Sequence, residues 1–511
     1  MKLPAARKVF RFSLWSAAAL VTLAILLYIE EDWRGSSAWA KTKARWEAKG
    51  ETFDYSKFIP PPIPDDQNLA ALPLFELEPG KLKDYVGNPE MEPIALLQAM
   101  HHEELSTSRP HLPDWHKGDL PDMDAIRKTV ATNYSTVFKD AKPDLDSSAQ
   151  FNATYPFLPA LIADSSSRAR FRLNIDYAPS NPIFRNYGML TRQIELSQIV
   201  TLHALLSLNT GQSDPALNDI KLNFQILSGV KNDPTYVGGL VALGMATITN
   251  GALFDGLALH AWTDAQLVEL EHVYQPINFL ADFQYAERSE AAQVNTNVTY
   301  FKHASRSELI NITRYAETAS SSIMVLRYRL PWPNGWWDTN TRQFADYHFS
   351  ELATVDPQAH RAFPHLQSQI NEKITNSADK WDADAPWNFW FSLAAPSERD
   401  MMQRYAHAQV WNDEALIACA LERYRLAKGV YPNSLADVAP AYIDEIPNDI
   451  MTGEPYHYRL GTDGQYLLYS IGWNLKDDGG TIAFKKDSPK SKDDDEGDWV
   501  WPTANKVTTT P

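Results

Sequence analysis

The residues of this sequence that could do chemistry lie in short, separate groups. His101 and Glu104 stand three residues apart, the spacing that places two metal ligands on one face of a helix, and His111 follows seven residues later. A metal-dependent hydrolase needs such a pair together with a base. No HExxH frame surrounds the group. We therefore interpret it as a solvated helix surface and keep an anchored periplasmic hydrolase as an alternative.

The other reactive residue types form no recognisable catalytic pattern. Asp382 and Asp384 stand beside tryptophans, as carboxylates do in a glycosidase cleft, but their separation in space decides that chemistry. Cys419 is the single cysteine, which excludes internal disulfides and cysteine-based zinc or iron–sulfur sites, and its apolar neighbours predict inert packing. The sequence contains no G-x-S-x-G, phosphate loop or dinucleotide fingerprint. We predict no catalytic residues.

The N-terminus contains the clearest structural element. Residues 12–29 carry no charge, and at about 1.5 Å per residue they reach about 27 Å, enough to cross a bilayer core. Basic residues precede this stretch and acidic residues follow it. The charge bias predicts a single-pass protein of the bacterial inner membrane, with a cytoplasmic N-terminus, a periplasmic body and bilayer contact through residues 12–29. A cleaved signal peptide is the alternative, although its apolar core is normally shorter.

The chain divides into four predicted parts. They are a cytoplasmic stub with the anchor (residues 1–35), a juxtamembrane helix with a stiff Pro-rich spacer (36–65), a mainly helical periplasmic body (66–396) and a small α+β domain with an acidic tail (397–511). The predicted fold class is therefore mainly α, with a transmembrane helix at the N-terminus.

The body shows helical spacing of apolar residues from about 192 to 285. Two helices are predicted to begin at Asp-Pro pairs, at Asp214 and at Asp233. Consecutive helices of this kind resemble stacked helical hairpins, so a solenoid-like body is one of the predicted forms. Residues 237–254 also lack charge, but they contain glycine, threonine and asparagine. We predict a buried helix there rather than a second membrane span.

The C-terminal part has the pattern of a helix, a turn and a small antiparallel sheet. Residues 413–427 predict a helix that Gly429 ends. Residues 456–460 and 465–470 predict two strands, and Thr462-Asp463-Gly464 between them predicts a hairpin turn.

A series of short motifs in this part stands in a specific order. They are Leu421-Glu422-Arg423-Tyr424, Gly429, Tyr431-Pro432, Ile446-Pro447-Asn448-Asp449, Gly453-Glu454-Pro455-Tyr456 and Leu468-Tyr469-Ser470-Ile471-Gly472. Over about residues 405–501 the chain resembles the soluble domain of the major pseudopilin of type II secretion systems. As a whole it is similar to uncharacterised single-anchor bacterial envelope proteins. Pseudopilins place a processed apolar helix directly before this domain, whereas here the anchor lies far upstream, so an ordinary fibre subunit is not expected.

The resemblance also implies a calcium site in the closing loop. The matching residues are Ile471, Asn474, Asp477, Asp478 and Asp498. Calcium takes six to eight oxygens from carboxylates, amides and carbonyl groups, and these residue types supply such oxygens. The alternative is a solvated acidic turn that bends at Gly479-Gly480. We interpret the following acidic run, residues 493–496, as a mobile solvated insertion.

Charge limits the class of partner. The 511 residues include 47 Lys and Arg and 64 Asp and Glu, a net charge of −17, which argues against nucleic acid. We predict a membrane-anchored periplasmic scaffold without catalytic activity, which binds a protein partner or self-associates. A component of a type II secretion or pilus-like machine, and an anchored periplasmic hydrolase, are the alternatives.

Overall fold

The described part of the chain consists mainly of α-helices. The computed structural model describes residues 4–76, 112–137, 146–177, 187–305, 307–308, 333–378, 386–388, 390–391, 395–486 and 488–504. The candidate groups at His101, Glu104 and His111, and at Asp382 and Asp384, lie outside the described residues.

The helices of the described residues are α1 (Pro4–Glu47), α2 (Pro73–Glu76), α3 (Met123–Val137), α4 (Ser147–Thr154), α5 (Phe157–Ser167), α6 (Gly188–Asn209), α7 (Ser213–Val230), α8 (Tyr236–Ala258), α9 (Asp264–Tyr274), α10 (Phe279–His303), α11 (Asn334–Glu351), α12 (Pro364–Ala378) and α13 (Met401–Lys428). The strands are β1 (Val355–Asp356), β2 (Arg361–Ala362), β3 (His457–Leu460), β4 (Tyr466–Ser470), β5 (Ile482–Lys485), β6 (Ser488–Gly497) and β7 (Trp499–Trp501).

Helix α1 is a single unbroken helix of 44 residues, about 66 Å long at 1.5 Å per residue. Every residue from Val9 to Ile29 is exposed, and the apolar part has a mean hydropathy of 2.1. A helix that is apolar on all sides and packs on none of the described elements suits a lipid environment. This half of α1 is a candidate membrane span, and an N-terminal signal sequence would meet the same length and composition criteria.

The second half of α1 packs against the body. Residues 36–50, predicted to be a separate juxtamembrane helix, are instead largely a continuation of α1. The ring of Trp39 lies 4.8 Å from that of Phe53, and the ring of Trp46 lies 5.1 Å from that of Phe349. Burial of these indoles against the body explains why the helix continues past the apolar stretch.

The Pro-rich residues 58–64 also lie along the body. The hydroxyl of Tyr285 donates a hydrogen bond to the carbonyl oxygen of Phe58 at 2.7 Å, and Nε of Arg172 donates to the carbonyl oxygen of Pro60 at 3.0 Å. Proline lacks a backbone N–H, so this segment cannot form a regular ladder of backbone hydrogen bonds, and these side-chain donors bind two of its carbonyl oxygens. The segment is bound to the body rather than extended from it.

Helix α8 lies inside the helical body. It packs on α6, α7, α10 and α13, and 72% of its most apolar window is buried. The prediction of a buried helix over residues 237–254 is confirmed. Helix α13, which follows much later in the chain, packs on α8, α9 and α10. These long-range contacts add packing that a solenoid, in which each repeat contacts its neighbours, does not have.

The C-terminal strands share the hydrophobic core of the body. Strands β3, β4 and β7 form an antiparallel sheet in that order, and β5 pairs with β6. The two strands predicted around the Thr462–Gly464 turn are confirmed as β3 and β4. One continuous core runs from Leu69 to Trp501, because α13 contacts body helices as well as β4 and β7. The predicted boundary at 396/397 therefore does not separate two cores.

The acidic run at residues 493–496 is part of β6 rather than a free insertion. The side-chain amide of Gln403 on α13 donates to the carbonyl oxygen of Asp494 and to Oδ1 of Asp495, both at 2.9 Å. Pairing with β5 and these contacts hold the charged strand across α13.

Candidate functional site

The junction between α1 and α11 contains the closest helix contact of the candidate membrane anchor. Gly35 and Gly335 face each other, and a Cβ atom on Gly35 would lie 2.0 Å from the carbonyl oxygen of Gly335. A Cβ on Gly335 would likewise lie 2.0 Å from the carbonyl oxygen of Glu31. Two glycines are therefore needed for the backbones to approach this closely.

Polar contacts continue from this crossing along the helix pair. Oδ1 of Asp32 accepts a hydrogen bond from the backbone N–H of Gly335 at 2.9 Å, and Oε2 of Glu31 accepts from Nε1 of Trp336 at 2.8 Å. Farther along, Asp346 accepts from Arg45 and, at 2.9 Å, from Nε1 of Trp46. The two helices run parallel, because later residues of α1 contact later residues of α11.

The change from exposed to docked helix takes place within six residues of α1. Ile29 is 61% exposed and Trp33 is 70% exposed, whereas Gly35 is buried. Six residues of α-helix span about 9 Å. The body therefore begins immediately after the apolar stretch, with no flexible joint between them.

The five residues of the predicted calcium site lie in and beside the loop between β4 and β5. Asp498 is buried, and its carboxylate accepts backbone N–H groups of Asp478 at 3.2 Å, Gly480 at 2.6 Å and Thr481 at 3.2 Å. It thus closes the loop through backbone bonds. Burial raises the pKa of Asp498, while these three N–H groups act in the opposite direction.

The remaining predicted ligands point in different directions. Asp477 accepts from the hydroxyl of Tyr469 at 2.9 Å, whereas the amide of Asn474 donates to Asp478 at 3.1 Å. Ile471 donates its backbone N–H to Asp449 at 3.3 Å. Among the described residues, no three His, Cys, Asp or Glu side chains are placed to hold a metal ion. Calcium binding at this loop therefore stays a prediction from the resemblance.

His260 lines a cleft that the sequence did not indicate, and it pairs with the buried Glu422. His260 follows α8 with a left-handed φ of 51°, and its Nδ1 lies 3.0 Å from Oε1 of Glu422 on α13. Glu422 also accepts bonds from Arg425 at 2.7 and 2.8 Å and from the Tyr431 hydroxyl at 3.0 Å. Burial opposes ionisation of Glu422, but the bonds from Arg425 and His260 outweigh it and lower its pKa.

This cleft has a volume of about 370 Å³. Aromatic, apolar and polar groups all line it; the lining residues are Leu120, Phe254, Leu257, Ala258, His260, Tyr431, Asp463, Gln465, Tyr466, Trp501, Pro502, Thr503 and Ala504. A half-exposed imidazole held by a buried carboxylate can bind or exchange a proton. Such a cleft can hold a small group with both apolar and polar parts.

A second polar cluster lies deep between α8, α10 and α11. The Tyr236 hydroxyl donates to Glu287 at 2.6 Å, and Nδ1 of His348 lies 2.9 Å from the other oxygen of Glu287. On the opposite side of the ring, Nε2 of His348 lies 4.0 Å from Glu398. Glu351, one helical turn beyond His348, accepts from the Gln367 amide at 3.1 Å.

Burial controls the protonation of this cluster. It raises the pKa of Glu351 to about 9 and that of Glu398 to about 8, with nearby carboxylates adding to the effect. Burial likewise raises the pKa of Glu287 and lowers that of His348. Near neutral pH, therefore, burial favours the protonated form of Glu351 and Glu398 and the uncharged form of the His348 imidazole. The cluster is a hydrogen-bonded network rather than a set of ions.

Comparisons with known proteins give no relative from which a function could be transferred. No family model, no curated protein and no solved structure matches this chain. Fold and function are therefore inferred from its own residues.

Proposed function

We propose that this protein is a membrane-anchored scaffold of the bacterial cell envelope, which holds a helical body at the periplasmic face of the inner membrane and binds a protein partner there. One observation carries the proposal: the exposed apolar half of α1 continues without a break into a half that is docked on α11. A protein that only needs attachment to the membrane can have a flexible linker after its anchor. Here the unbroken helix α1, docked on α11, fixes the body relative to the anchor.

The proposed partner surface lies at the C-terminal end of α13. Val430 is 63% exposed, Leu426 is 42% exposed and Leu259 is 43% exposed. Leu259 precedes His260, whose partner Glu422 stands one helical turn before Leu426. The three exposed apolar side chains therefore lie around the same end of this helix, and exposed apolar groups in a cluster favour protein contacts.

A narrower form of this proposal places the protein beside a type II secretion or pilus-like machine, with residues 397–511 as a pseudopilin-like module. The observed order of α13, the left-handed Gly429 and the β3–β4 hairpin supports this form. Helix α13 is covered by α8, α9 and α10, so the module would contact pseudopilins through its sheet or the end of α13.

The first experiment extracts the tagged full-length protein from its own membranes with a mild detergent after cross-linking and identifies what co-purifies. We expect a stoichiometric partner that is lost in Leu426→Glu and Val430→Glu but kept in Leu240→Glu, a matched exposed leucine on α8. Pseudopilins among the partners would support the narrower form. A monomer without partners in all four proteins would contradict the scaffold.

A second experiment addresses topology. Single cysteines replace Arg7 and Asp463 in the Cys419→Ala background and are exposed to a membrane-impermeant maleimide in intact spheroplasts. Labelling of Asp463→Cys but not Arg7→Cys is expected, because the body is proposed to be periplasmic. The reverse pattern would place the body in the cytoplasm.

A further inference from the structure

The start of α11 lies at the height of the lipid headgroups when α1 crosses the membrane. Because α1 is unbroken, its helical rise measures height above the bilayer core. Asp32 and Gly35 follow Ile29 by three and six residues, which corresponds to about 4.5 and 9 Å. The headgroup layer adds about 5–7 Å on each side of the hydrocarbon core. For a helix along the membrane normal, the contact of Gly335 with Asp32 thus falls within that layer, and its contact with Gly35 lies just beyond it.

The direction of α11 determines which of its ends faces the lipid. Gly335 contacts α1 beside Asp32, and Asp346 contacts α1 beside Trp46, farther from the apolar stretch. The N-terminal end of α11 therefore points toward the membrane and its C-terminal end points away. The helix pair leads from the bilayer surface into the body.

We infer that the body rests on the bilayer itself, through a membrane-facing surface formed by Trp33, Arg34, Asn334, Trp336 and Trp387 that contacts phospholipid headgroups. This inference rests on the proposed membrane anchoring. The sequence predicted a body held away from the membrane by a spacer. In the present inference, one side of the body instead contacts the lipid directly.

The chemistry of this surface fits the lipid interface. Trp33 exposes most of its indole, and tryptophan is enriched at the headgroup level because it is apolar with one polar N–H. The half-exposed guanidinium of Arg34 lies over the ring of Trp387 at 5.6 Å, where it can also contact a lipid phosphate.

The neighbouring carboxylates do not oppose this contact. Negative charges of Glu30, Glu31 and Asp32 would repel lipid phosphates if they were free, and the exposed Glu30 is paired with Arg34 at 3.4 Å. Glu31 instead accepts bonds from Trp336 and, at 2.5 Å, from Arg34, and Asp32 binds the N-terminal end of α11. The positive end of that helix dipole offsets the charge of Asp32.

The experiment uses spin labels on single cysteines in the full-length Cys419→Ala protein, reconstituted in vesicles of phosphatidylethanolamine with a minority of phosphatidylglycerol. The label at Leu20→Cys reports on the membrane span, and the label at Asn334→Cys reports on the proposed surface. The label at Ala44→Cys lies on α1 about 22 Å beyond Ile29. The ratio of collision with oxygen to collision with a water-soluble nickel chelate measures depth. We expect the ratio at Asn334 to lie between the other two and several-fold above that at Ala44.

The outcomes separate this inference from the anchoring on which it rests. An aqueous label at Leu20 contradicts the anchor itself. A buried label at Leu20 together with equal ratios at Asn334 and Ala44 leaves the anchor and overturns the lipid contact. Protection of Asn334 from both reagents indicates a protein neighbour or a second copy and also overturns it.

A variant of the helix crossing tests whether packing causes the contact. Gly35→Leu cannot fit against Gly335, so the body should detach from the span. We expect the label at Asn334 to become aqueous in this variant while the label at Leu20 stays in the core. An unchanged depth at Asn334 would show that the α1–α11 junction does not hold the body against the membrane.

Discussion

Asp32 of α1 caps a different helix, because its Oδ1 lies 2.9 Å from the backbone nitrogen of Gly335 in the first turn of α11. The first N–H groups of a helix have no partner within it. The residue that precedes α11, Pro333, provides no side-chain acceptor. The anchor helix thus supplies a cap that the local sequence lacks, and the junction is polar as well as closely packed.

Removal of this cap should weaken the fold. We expect Asp32→Ala to lower the free energy of unfolding by about 1 kcal/mol, because a helix-capping carboxylate contributes about that much. Asp32→Asn should retain most of the stability, since its amide oxygen still accepts the bond. Denaturant unfolding of the full-length protein in micelles, followed by circular dichroism, measures both. The exposed Glu30→Ala is the control, and a loss in Asp32→Ala no larger than in this control would contradict the cap.

The glycine crossing predicts an effect opposite in sign to helix propensity. Alanine favours a helix over glycine by about 1 kcal/mol, but a Cβ on Gly35 would lie 2.0 Å from backbone of α11. We therefore expect Gly35→Ala to destabilise the protein by about 1–3 kcal/mol, the usual range for overpacking. The same unfolding experiment applies. Ala44→Leu on the exposed face of α1 should change stability by less than about 0.5 kcal/mol, and stabilisation by Gly35→Ala would show that the helices can separate freely.

Local sequence predicted the elements better than their packing. Residues 237–254 and the β3–β4 hairpin were correctly predicted, because apolar spacing and turn residues act over a few positions. The continuation of α1 past residue 35 depends instead on Trp39 and Trp46, which pack on Phe53 and Phe349. A helix over residues 36–50 was predicted, but only the fold brings these rings together, so its union with the anchor into one helix was not.

The same reason explains which polar sites were missed. His260 and Glu422 are 162 residues apart in sequence, and Glu287 and His348 are 61 apart. Neither pair has a spacing that a motif could capture. The run Asn412-Asp413-Glu414, followed directly by the apolar residues 415–421, was the available signal that α13 carries buried polar groups.

Alkaline pH should weaken the cluster around His348. Burial raises the pKa of Glu351 from 4.5 to about 9, so the folded state keeps a proton that the unfolded state releases. The stability from this proton is complete below the unfolded pKa and is lost as the pH rises through about 9. Glu351→Gln mimics the protonated form. Its melting temperature should therefore fall less than that of the unchanged protein when the pH is raised. A Glu454→Gln control at the surface should follow the unchanged protein; identical profiles for all three would contradict the assignment.

Calcium binding predicts a specific change in thermal stability. If the β4–β5 loop binds calcium as its resemblance to pseudopilins implies, calcium should raise the melting temperature of the full-length protein by preferential binding to the folded state. Asp478→Asn should remove that rise, because it removes a carboxylate whose only described side-chain contact is with Asn474. Asp463→Asn, outside the loop, should keep it. Melting curves of the unchanged protein that coincide with calcium and with chelator would exclude the site.

Acidic pH should weaken the contribution of Glu422 to stability, whereas alkaline pH weakens that of Glu351. Its pKa is lowered because the bonds from Arg425 and His260 outweigh burial, so its contribution to stability is present above the unfolded pKa and is lost as the pH falls through the folded one. We expect Glu422→Gln to cost about 2–3 kcal/mol near neutral pH, since a charge-assisted set of bonds is weakened. The cost should shrink as the pH falls below about 4. Double-mutant cycles with His260→Asn, in the same unfolding experiment, measure how much of the loss belongs to this pair. A cost that does not change with pH would mean that the carboxyl group of Glu422 is already protonated at neutral pH, and that His260 faces the cleft without an ionised partner.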